Sequence, residues 1–265
     1  MATARPSLAP HVPWGWAGAG AVLGLLLALL LGAPAHWLAS ALDQASGGRV
    51  QLADPRGTVW QGSGQLVFTG GSGSNDALAL PSRLAWTARP AWAGLHLVLR
   101  ADCCTPQPVP LDARFGWQRM HLAFGDARSQ WPPALLAGLG TPWNTIQLDG
   151  DFTLATQGLS VEWAEGRLSV AGRAELLAQR VSSRLSTLRP MGSYRITVSG
   201  GNVPTLQLET LEGSPLELAG SGQWVGSRLR FSGTASAAPG REEALSNLLN
   251  IIGRRSGARS IISIG

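Results

Sequence analysis

From Gln51 onward apolar and polar residues alternate with a period of two, and this feature limits the fold more than any other. Ile146, Leu148, Phe152 and Leu154 alternate with Gln147, Asp149, Asp151 and Thr153, broken only by Gly150 on the apolar side. Leu168, Val170, Ala174 and Leu176 continue the pattern on one parity, and Tyr194 to Val198, Leu206 to Glu209 and Leu229 to Ser232 repeat it. Successive side chains of a strand point to opposite faces, so this alternation describes strands buried on one side only, as in antiparallel sheets. Short turns separate the runs: Gln157-Gly158, Glu165-Gly166, Gly200-Gly201-Asn202 and Gly213-Ser214-Pro215. The expected body is a mainly β, antiparallel meander of about a dozen strands, a curled sheet or an open barrel-like one.

Two helices are expected to interrupt it. Trp131 to Leu139 has Pro132 and Pro133 in its first turn and Gly140 after it. Glu242 to Ile252 opens with two acids, places Leu245, Leu248, Leu249 and Ile252 on one stripe, and closes at Gly253 with Arg254 and Arg255. Its stripe is expected to pack on the chain's own sheet. Thr69 to Asn75 reads as a Gly/Ser loop between strands. Gly62-Ser63-Gly64-Gln65-Leu66 and Gly220-Ser221-Gly222-Gln223-Trp224 are alike, each leading to an aromatic-ended strand (Phe68 and Phe231). A repeated hairpin unit and recurrent turn chemistry both account for that likeness.

Upstream of the body, residues 6 to 42 contain no Asp, Glu, Lys or Arg. Gly15 to Ala35 is a run of Leu, Ala and Gly that as a helix would be roughly 31 Å long, the thickness of a bilayer's hydrocarbon core. Trp14 and Trp16 flank one end and Trp37 the other, where amphipathic rings prefer the headgroup level. A cleaved signal peptide, with Ala33-Pro34-Ala35 as the cleavage site, is the competing reading. The long apolar run and the single Arg5 before it favour an uncleaved anchor. The expected organisation is a cytoplasmic tail over 1–14, a transmembrane helix over 15–35, a linker over 36–50 and a β-rich domain over 51–265. Arg5 precedes the run and Asp43 follows it before any Arg, which favours a cytoplasmic N-terminus. In a Gram-negative cell the body is then periplasmic, on a single-pass inner-membrane anchor. Gly20, Gly24, Ala28 and Gly32 recur every fourth residue, a face against which a second helix can pack closely; such residues are also common in membrane helices generally.

Composition excludes several classes. Hydrophobic residues make up 45% of the 265, with no long charged block, so intrinsic disorder is not expected. All 21 basic residues are Arg, and removing residues 1 to 42 leaves 20 Arg against 16 acids. That is a mild bias and not a phosphate track, so no nucleic-acid partner is expected. The two Cys, Cys103 and Cys104, are adjacent; they either close a vicinal disulfide or remain buried thiols, and neither state implies redox catalysis.

The residues for catalysis are missing. His11 and His36 flank the apolar run, while His96 and His121 alternate against leucines and point to the polar face of their strands. No G-x-S-x-G, P-loop, H-E-x-x-H or C-x-x-C pattern is present. Asp149 and Asp151 share a strand face, as a carboxylate pair would, though a solvated sheet surface accounts for them more simply. Arg167, Arg173, Arg180, Arg184, Arg189 and Arg195 form a local surplus suited to lipid headgroups or an acidic partner, or simply to a solvated face. No catalytic residue, metal ligand or cofactor is expected.

Two segments carry a family likeness. Gly57-Thr58-Val59-Trp60-Gln61-Gly62-Ser63-Gly64 follows the apolar run. Near the end, Leu216 to Trp224 contains Gly220-Ser221-Gly222-Gln223-Trp224, then come Leu229 to Ala235, the acidic Leu-rich helix and Ile251-Ile252-Gly253. This order and spacing resembles the protein N family of the bacterial type II (general) secretion pathway, over nearly the whole chain but little of Leu80 to Trp131. The resemblance implies an inner-membrane-anchored periplasmic accessory of protein secretion, with other type II secretion components, including the secretin, as partners and with no chemistry of its own. Gly57, Trp60, Gly62, Gly220, Gly222 and Trp224 are the family-motif positions. The alternative is a periplasmic lipid-binding or lipid-bridging protein, whose sheet would present an open apolar groove to phospholipid.

Overall fold

The computed structural model describes residues 14–265 apart from 72, 142, 165, 166 and 227. The expected cytoplasmic tail therefore lies almost wholly outside the described residues, as do His11 and the Glu165-Gly166 turn.

The apolar run does not form one helix over 15–35. It forms α1 (Trp14–Leu31) and stops, and α2 (Ala35–Ser46) begins after Pro34. Proline has no N–H and its ring collides with the carbonyl four residues back, so a helix cannot run through position 34. Among the described residues no helix is long and apolar enough to cross a membrane. The segment expected as a linker, 36–50, is mostly α2. Its Ala35, Leu38, Ala39 and Leu42 pack on Leu52, Trp86 and Leu99 of the sheet, and Gly47 ends it in the left-handed conformation at φ 63°.

Among the described residues the body forms sixteen strands: β1 (Val50–Gly57), β2 (Gln61–Thr69), β3 (Ala77–Ala79), β4 (Leu84–Ala91), β5 (Gly94–Ala101), β6 (Val109–Gly116), β7 (Arg119–Phe124), β8 (Ala127–Trp131), β9 (Leu148–Ala164), β10 (Arg167–Ser183), β11 (Gly192–Gly201), β12 (Thr205–Thr210), β13 (Leu216–Val225), β14 (Arg228–Ala237), β15 (Arg254–Ser256) and β16 (Arg259–Ile264). They make one antiparallel sheet ordered β1-β2-β4-β5-β6-β7-β9-β10-β11-β12-β13-β14-β16-β15, with β3 beside β2 and β8 beside β9. Among the described strands β1 and β15 do not pair, so the sheet is open. The meander expected from the alternation is present, with more strands than expected. The extra ones are short, or follow the last helix, where a five-residue run such as Ser260 to Ile264 carries little periodic signal.

The expected helix over 131–139 is a 3-10 segment, Pro133–Leu139, and a further short helix α3 (Trp143–Ile146) follows it. The last helix, α4 (Glu242–Ile252), has the expected bounds. Leu245, Leu248 and Leu249 are buried on the chain's own sheet, against Ala235, Tyr194 and Leu216 among others. Burying three leucines contributes on the order of 1.5–3 kcal/mol each. The likeness of Gly62–Phe68 to Gly220–Phe231 is not a repeated unit: the first lies on one strand, β2, while the second crosses a hairpin from β13 to β14.

One face of the sheet is apolar from end to end. Cross-strand partners on it include Leu97 with Leu111, Leu122 with Val161, Val161 with Val170, Leu176 with Ile196, and Val198 with Leu206. Such pairs contribute roughly 0.2–1 kcal/mol each. Three core clusters cover only parts of this face, beneath α2, beneath the 3-10 segment around Leu80 and Leu135, and beneath α4. Leu97, Leu111, Leu122, Val161, Val170, Leu176, Ile196 and Leu206 lie outside those clusters and are half-buried.

Candidate functional site

The first family-motif segment builds the joint between the apolar helix and the sheet. Gly57 ends β1 at φ 87°, and a Cβ there would lie 2.4 Å from the Gln61 carbonyl oxygen, so only glycine fits. Thr58 N–H donates to the Gln61 carbonyl (2.9 Å), and the Thr58 hydroxyl accepts from the N–H groups of Trp60 (3.3 Å) and Gln61 (3.1 Å). The turn is thereby held in one shape, and it meets α1. Trp60 Nε1–H donates to the Leu30 carbonyl at 2.7 Å, Val59 N–H donates to the Ala33 carbonyl at 2.9 Å, and Pro34 forms a bridge with Thr58. Behind the turn, Trp86 Nε1–H donates to the Thr58 carbonyl at 3.2 Å. A Cβ on Gly62 would lie 2.5 Å from the Trp86 ring, so Gly62 makes room for that buried indole.

The second motif segment does something else. Gly220 and Gly222 lie on β13, and a Cβ on Gly220 would sit 2.4 Å from the Phe231 ring. Phe231 thus lies over the bare backbone of Gly220 and Gly233, and Trp224 follows half-buried near the strand's end. In the strand order β4 to β12 separate the two motifs, so the structure does not bring the six motif positions together. What they share is an end of the sheet: Trp60 and Trp224 both lie toward the end at which α1 docks.

Of the small-residue face, Gly20, Gly24 and Ala28 belong to α1, while Gly32 lies one residue beyond it. All four are exposed, and no atom lies within 4 Å of a Cβ placed on Gly20 or Gly24.

The titratable residues do not converge. Asp149 accepts from the N–H of Gly150 (2.9 Å), whereas Asp151 pairs with Arg180, so each carboxylate has a partner of its own. The arginines from 167 to 195 are spread along the 17 residues of β10 and beyond. Arg195 faces Glu175 at 3.6 Å, and Arg184 and Arg189 line a cavity of about 450 Å³ at the far end of the sheet. His96 Nδ1 lies 2.7 Å from Asp112 on the exposed side. Among the described residues no group of three or more His, Cys, Asp or Glu side chains could hold a metal ion.

Among the described residues, Asp54 and Tyr194 are electrostatically shifted. Hydrogen bonds from Arg56 and then Arg83 hold the exposed Asp54 carboxyl below its ordinary value. Burial pushes the Tyr194 phenol well above its usual range, while its hydroxyl donates to the Leu216 carbonyl at 3.1 Å. Cys103 and Cys104 are joined in a disulfide between β5 and β6. Cys104 is buried among Leu66, Leu80, Ala101 and Leu135, a structural position.

The described residues define an open, one-sided antiparallel sheet with an apolar helix docked onto it through a Trp-bearing turn. The sequence model of the family described as type II secretion system (T2SS), protein N matches residues 48–262. The chain belongs to that family, and is therefore a component of the type II secretion system that works with other components of it. No curated protein and no solved structure matches the chain.

Proposed function

We propose that this chain is an inner-membrane-anchored accessory of type II secretion, with its β-sheet in the periplasm, supporting assembly of or contact between components. α1, entered by the charge-free run 6 to 42, is the anchor. Its 18 residues reach about 27 Å, a few ångströms short of a typical ~30 Å core, a mismatch that local bilayer thinning accommodates. The observation that carries this reading is the joint at Trp60: the family motif is spent on holding the helix against the sheet. Such a joint passes the orientation of a membrane helix to a rigid body outside it. Gly20, Gly24 and Ala28 offer α1 a bare face for a partner helix, and Gly32 extends it.

In vivo crosslinking tests the reading, from probes placed at Gly20, Gly24, Ala28 and Trp60. Recovery of inner-membrane or periplasmic secretion components supports it. Recovery of lipid and bulk membrane proteins alone sinks it.

A second reading has its own support. The apolar face between the covered patches is lined by Leu97, Leu111, Leu122, Val161, Leu176 and Ile196 with no core cluster over it, and such a strip suits acyl chains. Native mass spectrometry of the full chain released from native membranes would show bound phospholipid if this is so, and a lipid-free mass would remove the reading.

A further inference from the structure

In this meander every second connection returns to the end of the sheet where α1 docks. Those connections are the turns after β1, β4, β6, β9, β11 and β13. Topology dictates that they share an end, but it does not dictate what they carry. Trp92 in the β4–β5 turn is 99% exposed and Trp117 in the β6–β7 turn is 94% exposed. Trp163 at the tip of β9, Val203 in the β11–β12 turn and Val225 at the tip of β13 are exposed as well, and so is Trp37 in the first turn of α2. Of the opposite connections, Gly70 to Asp76 and Leu211 to Pro215 are polar or Gly-rich, while the β8–β9 connection carries the 3-10 segment and α3, with Trp143 at 38% exposed.

An indole left almost wholly in water at a hairpin tip contributes no burial to folding, so two of them at successive tips call for another environment. Trp prefers the bilayer interface, where its ring is half in hydrocarbon and its N–H remains among headgroups. Basic side chains accompany them: Arg89, Arg114 and Arg228 are exposed on strands close to these tips and form no salt bridge among the described residues. Arginines near an anionic surface are drawn to it. The hydrogen bonds from Trp60 and Val59 to Leu30 and Ala33 hold the last turn of α1 against this rim, so a bilayer entered by α1 begins where the tips end.

We infer that the α1-side hairpin tips form a membrane-contact rim, with Trp92, Trp117 and Trp163 seated at the headgroup level of the bilayer that holds α1 and Arg89, Arg114 and Arg228 against anionic lipid. This rests on the anchor reading of α1. The sheet then stands on the membrane by its edge of turns, and its uncovered apolar face opens at the lipid surface.

The test uses the full chain reconstituted in phosphatidylethanolamine vesicles containing phosphatidylglycerol. One trace phospholipid carries a diazirine near the headgroup and a second, in a parallel sample, carries it deep in the acyl chain. After photolysis the labelled peptides are mapped. The expected result is acyl-chain labelling of α1 together with headgroup labelling of 89–96 and 114–121, several-fold above that of 70–80 and 184–191 at the far end. In the double variant Trp92→Ser with Trp117→Ser, headgroup labelling of those two tips falls several-fold while α1 labelling is unchanged. If α1 is labelled and the tips are not, or if both ends of the sheet are labelled alike, the rim is overturned and the anchor stands; the tips then face protein. If α1 itself escapes the acyl-chain probe, the anchor reading fails and takes the rim with it.

Discussion

The Trp60 indole N–H donates to the Leu30 carbonyl, the same carbonyl that an uninterrupted helix would have satisfied from position 34. Position 34 is proline and has no N–H to give. The kink that ends α1 and the tryptophan that docks it on the sheet therefore answer one another. Helix ends leave their last carbonyls without intrahelical partners, and here a side chain thirty residues away supplies one.

Replacing Trp60 by Phe keeps the ring and removes the donor. The bond is solvent-accessible, so the loss should be modest, about 0.5–1 kcal/mol. It should be local: hydrogen exchange should quicken at 30–34 and 57–61, with no change around Tyr194. Unchanged exchange at the joint would mean that the indole bond does not hold α1.

Leu248 is 2% exposed beneath the sheet, and its removal leaves a cavity among Tyr194, Leu216 and Ala235. Leu248→Ala should lower the stability of the body by about 2–5 kcal/mol, read by equilibrium urea unfolding of the detergent-solubilised chain. Ile251, on the solvent side of the same helix, should tolerate alanine within about 0.5 kcal/mol. Equal losses from the two would mean that α4 is not seated as described.

Asp54 gives a pH dependence of definite sign. Its folded-state pKa lies below the ordinary carboxylate value because Arg56 and Arg83 bind the ionised form. The contribution is therefore fully present above the unfolded-state value, near 3.8, and is lost as the pH falls through the lower folded-state one. Wild type and Asp54→Asn should differ in stability near neutrality and converge on acidification. A gap that widens toward low pH would contradict the assignment.

Gly24→Leu fills the bare face of α1 without touching the sheet, since nothing lies within 4 Å of that position. Co-purification of secretion components should drop while the thermal unfolding of the body stays the same. Undiminished co-purification would make the small residues ordinary helix composition.

Much of the fold was legible because its determinants are local. Alternation over β9 to β14 sets which side chains share a face, and Glu242–Ile252 displays both its stripe and its acidic first turn. The break before Pro34 was also readable, yet hydropathy averaged over a window conceals a single proline. The short strands β15 and β16 carry little local signal because they acquire their state from the strand they pair with, β14 for β16 and β16 for β15.

The candidate site was less legible. The sequence marked Trp60, Gly57 and Gly62 as one cluster and Gly220, Gly222 and Trp224 as another, without distinguishing a docking joint from a bed for Phe231. Asp149 and Asp151 share a parity on β9, and only the structure gives each its own partner, the Gly150 N–H for one and Arg180 for the other. Trp92 and Trp117 drew no notice, because exposure cannot be inferred from a lone aromatic in a turn.

By itself the sequence determined a one-sided antiparallel sheet behind an apolar helix, and the family to which such a chain belongs. Period, caps and turn residues act within a few positions of themselves, so they survive in the linear text. Only the tertiary structure decided which parts of the apolar face are covered, where the helix docks, and that the most exposed tryptophans stand at the same end as α1. Those outcomes depend on strand order and on contacts between residues tens of positions apart, and no local pattern encodes the side of the sheet to which a turn returns.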